Sequence, residues 1–103
     1  MKRTKTGRGF PLVEFEDSYG KKCSIQKSSN AEGDYIWIGC DDAEPKVLAR
    51  EAGRLGINTE HTTGWVDYPI PKNVLLTTRM HINKDQAEDI IAILNEFVST
   101  GEI

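Results

Sequence analysis

The chain has 103 residues, of which 38% are hydrophobic and 28% charged, and its formal net charge is −3. These proportions are typical of one soluble globular domain, and no apolar run approaches the ~20 residues that span a bilayer. No signal-peptide core follows the basic N-terminus, so the sequence predicts a cytoplasmic protein.

The first nine residues have no hydrophobic periodicity and contain two glycines, which predicts a disordered basic arm over residues 1–9, ahead of a single α+β domain over residues 10–103. The rest of the chain has nine basic and sixteen acidic residues, and this excess of negative charge opposes non-specific binding to nucleic acid. The cations of the arm are Lys2, Arg3, Lys5 and Arg8.

A β-hairpin is predicted next. Val13 and Phe15 alternate with acidic residues, residues 17–20 (DSYG) are turn formers, and Cys23 and Ile25 resume the alternation. Residues 35–39 (YIWIG) have the β-branched and aromatic composition of a third strand.

Residues 41–56 predict a helix. Asp41 is an N-cap candidate, Pro45 stands where a missing amide costs nothing, and Gly56 is a natural stop. Its apolar positions are Val47, Leu48, Ala52 and Leu55.

No element is predicted over residues 57–73, but residues 64–71 (GWVDYPIP) stand out in this loop. Pro69 and Pro71 favour an extended backbone. The segment 65–71 should be a stiff ribbon that either covers the core or contacts a partner. Its apolar side chains are Trp65, Val66, Tyr68 and Ile70.

The last third of the chain has the clearest periodicity. Residues 74–82 alternate as a strand, Asn83 and Gln86 have the spacing of a capping box, and Gly101 can end the following helix. The apolar stripe of that helix comprises Ala87, Ile90, Ile91, Leu94, Phe97 and Val98. The element order β-β-β-α-β-α predicts a two-layer α+β sandwich, a mainly antiparallel sheet of about four strands with two helices on one face.

No pattern of residues indicates a catalytic, cofactor or metal site. Asp41 and Asp42 are explained as helix caps, and His61 and His81 lack a recognisable catalytic partner. Cys23 and Cys40 have no C-x-x-C spacing and are read as buried thiols, with a disulfide or half a metal site as alternatives.

Several segments resemble a family of small, uncharacterised bacteriophage- and prophage-encoded proteins of about 100 residues, and the similarity covers about residues 8–103. The segments are 8–10 (RGF), 23–29 (CSIQKSS), 36–39 (IWIG), 64–71, 78–81 (TRMH) and 97–103. The resemblance implies a phage origin and a bacterial host cytoplasm, and it carries over no catalytic residue.

The sequence therefore favours a non-enzymatic accessory protein that has no cofactor and binds a host or phage protein. A homodimer is a further expectation, because an edge strand of the sheet would be unprotected. The predicted contact residues are Trp65, Val66, Tyr68, Ile70 and Trp37. The alternative is nucleic-acid binding through the basic arm and the strand face of Arg79 and His81, with affinity that falls steeply with salt.

Overall fold

The computed structural model describes all 103 residues and has an α+β fold. There are two α-helices, α1 (Ala49–Ala52) and α2 (Lys84–Thr100), and a 3₁₀ turn at Gly53–Leu55. The strands are β1 (Lys2–Lys5), β2 (Pro11–Glu16), β3 (Lys22–Lys27), β4 (Tyr35–Cys40), β5 (Lys46–Leu48), β6 (Trp65–Asp67) and β7 (Arg79–Asn83).

Five of the strands form one antiparallel sheet in the order β1-β2-β3-β4-β7, and β5 and β6 form a separate two-stranded sheet. The chain divides into two compact units. The first comprises Met1–Asp41 with Thr78–Ile103, and the second comprises Asp42–Thr77. The sequence predicted a single domain over residues 10–103.

The β2–β3 hairpin has a local cause. The Asp17 carboxylate accepts hydrogen bonds from the amides of Tyr19 and Lys21, at 2.9 and 2.8 Å, and Gly20 takes a positive φ of 82°. An aspartate and a glycine at these positions close a tight turn, which sets the register that pairs Val13 with Ile25 and Phe15 with Cys23.

The predicted disordered arm contains a strand instead. β1 pairs with β2, and Lys2 lies opposite Glu14. The turn between them is closed by Thr6, which bonds to Gly9 and Phe10, while Gly9 has a φ of 87°. The two glycines of the arm suggested disorder, but the turn requires Gly9 because only glycine adopts a positive φ without strain. Composition alone does not distinguish a glycine in a tight turn from a glycine in a disordered segment.

Strand register gives the five-stranded sheet two different sides. The apolar face bears Val13, Phe15, Cys23, Ile25, Ile36, Ile38, Met80 and Ile82. The polar face bears Glu14, Ser24, Gln26, Tyr35, Trp37, Arg79 and His81.

Helix α2 has the predicted ends. The Asn83 side-chain oxygen accepts a hydrogen bond from the backbone N–H of Gln86 at 2.9 Å, and the Gln86 side-chain oxygen accepts one from the backbone N–H of Asn83 at 3.1 Å. Gly101 closes the helix in the left-handed conformation, with its amide bonded to the Phe97 carbonyl.

No helix of the structure has the length and apolar character needed to cross a membrane.

The predicted helix over residues 41–56 is wrong in most of its length. Residues Lys46–Leu48 form β5, and only Ala49–Ala52 is α-helical. Val47 pairs with Val66, nineteen positions further along the chain, and this pairing overrides a local helical pattern already weakened by Gly53. Ala49, Ala52 and Val66 form the core of the second unit, with Val47 and Ile57 packed against it.

The strand predicted over residues 74–82 is shorter than expected. β7 begins at Arg79, which pairs with Gly39, next to the last residue of β4. Residues before Arg79 continue the alternation but have no partner strand, and alternation without a partner does not make a strand.

Candidate functional site

The predicted ribbon splits into an exposed and a buried part. Trp65 is 67% exposed, whereas Val66, the next residue, is 8% exposed and packs in the core. Tyr68 and Ile70 are half-buried. Val66 is therefore mainly a core residue, and the ribbon presents Trp65 with the partly accessible Tyr68 and Ile70.

Trp65 is held on a paired strand. Its backbone lies opposite Leu48, and the Tyr68 amide bonds to the Pro45 carbonyl at 2.9 Å, just past the end of the strand pair. Lys46 and Asp67 form an ion pair across the same strands, which raises the pKa of Lys46. The indole thus projects from a fixed backbone while its neighbour Val66 anchors the strand.

An open groove lies beside Trp65, within the second unit. Its polar lining is Asn58, Thr59, His61 and Asp67, and its apolar lining is Ile57, Val66 and Trp65 itself. An exposed aromatic side chain next to a mixed polar and apolar groove is an arrangement that favours contact with a protein partner.

Trp37 lies in the first unit, apart in the chain from the ribbon, and contacts His81. The His81 ring stacks on Tyr35 with centroids 4.7 Å apart and lies 4.2 Å from Trp37, and its Nε2 is 2.8 Å from the Ser28 hydroxyl. The Arg79 guanidinium lies over Trp37 at 5.7 Å. We call Gln26, Ser28, Tyr35, Trp37, Arg79 and His81 the aromatic cluster.

The aromatic cluster was only partly visible in the sequence. Alternation predicted that Arg79 and His81 share a face and that Tyr35 and Trp37 share a face, but not that the two faces coincide. The register of β4 with β7, which sets Trp37 opposite His81, brings them together. Arg79 also donates to Gln26 at 2.9 Å, a partner 53 positions away that no local pattern indicates.

The residues of the nucleic-acid alternative are divided between two edges of the sheet. Lys2, Arg3 and Lys5 lie on β1, at one edge, whereas Arg79 and His81 lie on β7, at the other. Four strand spacings separate these edges, about 19 Å. Arg8 lies over the Phe10 ring at 5.4 Å.

Cys23 and Cys40 are cross-strand neighbours with their sulfur atoms 4.0 Å apart, well beyond the ~2 Å of a disulfide. Burial raises the pKa of the Cys23 thiol, and Cys40 beside it acts in the same direction. A raised pKa disfavours the reactive thiolate.

Asp41 is no helix cap, because no helix begins there; its carboxylate accepts from the Ser24 hydroxyl at 2.7 Å. No group of three or more His, Cys, Asp or Glu side chains is close enough to hold a metal ion.

Comparison with protein families, with curated proteins and with solved structures finds no match to this chain.

Proposed function

We propose that this protein is a non-enzymatic accessory factor that acts by binding another protein through the surface around Trp65. The observation that carries the proposal is the contrast within β6, where a large aromatic side chain is two-thirds exposed directly beside a buried valine. Exposed tryptophan on a rigid backbone is typical of the residues that dominate binding energy at protein interfaces.

The anchoring of β6 supports this reading in energetic terms. A tryptophan has only two rotatable side-chain bonds, and a backbone already paired with β5 has little freedom left to lose on binding. Burying the indole would therefore stabilise a complex at a small entropic cost.

The shifted pKa values in this chain are explained by ion pairs and burial. The pKa of Asp34 is lowered by Lys84 and Lys27, and the pKa values of Lys46 and Lys84 are raised by their carboxylate partners. These shifts come from surface ion pairs. The thiol of Cys23 is shifted away from the nucleophilic form.

The setting of the proposal is the one that the sequence resemblance implies, a phage-encoded protein in a bacterial cytoplasm whose partner is a host or phage protein. A two-layer arrangement belongs to the same proposal only within the first unit, where α2 would lie on one side of the sheet. It is supported by Ala87, in the first turns of α2, which lines an apolar groove with Ile36 and Ile82.

The test compares Trp65→Ala with Leu75→Ala, a substitution at an 88% exposed apolar residue of the same unit but outside the ribbon. Tagged chains are used to capture proteins from a bacterial lysate after nuclease treatment. We expect a stoichiometric partner to be retained by the wild type and by Leu75→Ala, and to be lost at least about tenfold with Trp65→Ala.

Thermal unfolding of each variant is the control, because a surface substitution should leave the free energy of unfolding within about 0.5 kcal/mol. A folded Trp65→Ala chain that captures its partner as well as the wild type would show that the surface is elsewhere.

The aromatic cluster favours a second candidate function, binding of single-stranded nucleic acid. Bases stack on accessible aromatic rings, Tyr35 and Trp37 are half-buried and so partly accessible, and Arg79 supplies a cation beside Trp37. The measurement is fluorescence anisotropy of a labelled oligonucleotide across a salt gradient, with Trp37→Ala as the variant. This candidate requires affinity that falls steeply with salt and weakens with the substitution.

A further inference from the structure

Helix α2 carries an apolar stripe that the chain does not cover. None of its residues is buried, and its apolar side chains beyond the second turn are about half exposed or more. Its main contact with the sheet is through the adjacent strand β7. The exposed members of the stripe are Ile91, Leu94, Phe97 and Val98, and the exposed Ile93 lies beside the stripe.

The apolar face of the five-stranded sheet is also incompletely covered. Met80 is 58% exposed, and Val13, Phe15, Ile25 and Ile38 are only half-buried. The groove bounded by Ile36, Ile82 and Ala87 shows that α2 starts on this same side of the sheet. One chain therefore presents two open apolar surfaces, a helix stripe and a sheet face.

The helix and the apolar side of the sheet carry charges of opposite sign. The strand residues on this side of the sheet include Arg3 and Lys5, and Lys27, which pairs with the loop residue Asp34. Acidic residues predominate on the polar side of α2, opposite its stripe: Asp85, Glu88, Asp89 and Glu96. An acidic helix and a basic side of a sheet attract each other at long range, and their apolar surfaces supply the contact.

We propose that the occupant is a second copy of this chain, with α2 of each copy lying across the apolar face of the other. A two-fold axis makes each copy both donor of a helix and acceptor of one, which is how a self-complementary interface closes. This proposal uses surfaces in the first unit and does not rest on Trp65.

The dimensions fit this arrangement. A helix of 17 residues is about 25 Å long, and five strands span about 19 Å. Covering the exposed stripe removes on the order of 500 Å² from each helix. A matching area on each sheet brings the total to about 2,000 Å², the size of a stable dimer interface.

Pairing of edge strands is the competing way to form a dimer, and the charge of β1 opposes it. Two copies of Lys2–Lys5 would bring three cations of each chain against three of the other, and exposed lysines are a common protection of sheet edges. The open apolar surfaces lack such protection.

The test is sedimentation equilibrium of the full chain from about 1 to 100 µM. We expect the wild type to have twice the 11.5 kDa mass of one chain. Leu94→Glu should weaken association at least about 100-fold, because it places a charge in the covered stripe. Ala92→Glu is the matched control, the same new side chain on the polar side of the same helix, and should remain dimeric.

Far-ultraviolet circular dichroism of both variants checks that α2 is retained, and Leu94→Ala is a milder variant that should weaken association by a smaller factor. A wild type that stays monomeric over the whole range overturns the proposal. So does a dimer that Leu94→Glu leaves intact, since the contact would then lie elsewhere, for example at the β1 edge. Neither result affects the proposal for Trp65, which is judged by its own capture experiment.

Discussion

On the polar face of the five-stranded sheet the side chains of β4 and β7 contact one another, whereas most side chains of the apolar face are only partly covered. His81 lies against two aromatic rings and a hydroxyl, and Arg79 has both Gln26 and Trp37 as partners. Across the sheet, Cys23 and Ile82 are buried but Met80 is 58% exposed, and the stripe of α2 that could cover such residues is also exposed. The apolar face is therefore less completely covered than apolar groups of a folded chain usually are.

The polar face therefore makes its contacts within one chain, whereas the apolar face leaves Met80 exposed. Polar groups find partners through pairwise contacts between neighbouring strands, which the sheet supplies at no extra cost. Apolar groups need a second layer, and a single long helix that leaves the sheet after its first turns does not supply one.

The substitution that should reduce stability most is at Gly39, where the backbone of β7 lies very close to β4. A Cβ on Gly39 would lie 2.5 Å from the Thr78 carbonyl oxygen and 2.9 Å from the Arg79 Cα, and Gly39 has a φ of 149°. Gly39→Ala should therefore lower the free energy of unfolding by about 3 kcal/mol. Denaturant unfolding measures it.

Gly53→Ala is the matched control for this change, because nothing lies within 4 Å of its Cβ position and its φ of −61° suits any residue. It should be neutral or stabilise by up to about 1 kcal/mol. Equal effects of the two substitutions would contradict the close approach at Gly39.

A second prediction concerns the apolar face: the stability of the wild type should depend on protein concentration. If a second copy covers this face, the free energy of unfolding rises by up to about 1.4 kcal per mole of dimer for each tenfold increase in protein concentration. Thermal melts over a hundredfold range should show a rising Tm for the wild type and a constant Tm for Leu94→Glu. A wild-type Tm that does not move with concentration would speak against the dimer.

A smaller effect tests whether the aromatic cluster is complete within one chain. His81→Ala removes the ring between Tyr35 and Trp37 and a hydrogen-bond partner of the buried Ser28. It should cost about 1 kcal/mol at any protein concentration. His61→Ala is the control, because His61 is exposed, and should change stability by less than about 0.5 kcal/mol.

The smallest effect concerns the point where α2 leaves the sheet. Asp34 accepts from Lys84 at 2.9 Å and from Lys27 at 3.2 Å, and these cations lower the pKa of its carboxyl. A lowered carboxyl pKa means that the ion pairs stabilise the fold above the unfolded value of about 4 and that this contribution is lost as the pH falls through the lower, folded value.

Asp34→Asn should therefore be slightly less stable than the wild type near pH 7, and the difference should disappear as the pH falls below the folded-state pKa of Asp34. Chemical unfolding across this pH range is the measurement, with Glu32→Gln in the same loop as control. A difference in the free energy of unfolding between Asp34→Asn and the wild type that grows as the pH falls would contradict a lowered pKa of Asp34.

How much the sequence revealed depends on the distance between partners along the chain. Helix α2 was predicted to its caps because Asn83, Gln86 and Gly101 act within a few residues of the groups they bond. The β2–β3 hairpin was predicted for the same reason, through Asp17 and Gly20. Local signals of this kind need no knowledge of the rest of the fold.

The second unit was predicted poorly because its main pairing is not local. Val47 pairs with Val66 across nineteen residues, and either residue alone fits a helix or a loop equally well. The exposure of Trp65 could not be predicted either, since a tryptophan between glycine and prolines is compatible with a covered core or an open surface. The candidate residues were visible in the sequence, but their accessibility was set by the strand pairing.

An isotope-filtered nuclear Overhauser experiment on a mixture of labelled and unlabelled chains tests whether α2 of one copy lies on the sheet of another. It detects only contacts between different copies. We expect contacts from the Phe97 ring and the Leu94 methyls of one copy to the Ile25 and Ile38 methyls of the other. Contacts confined to single chains, or contacts between copies only at β1, would contradict it.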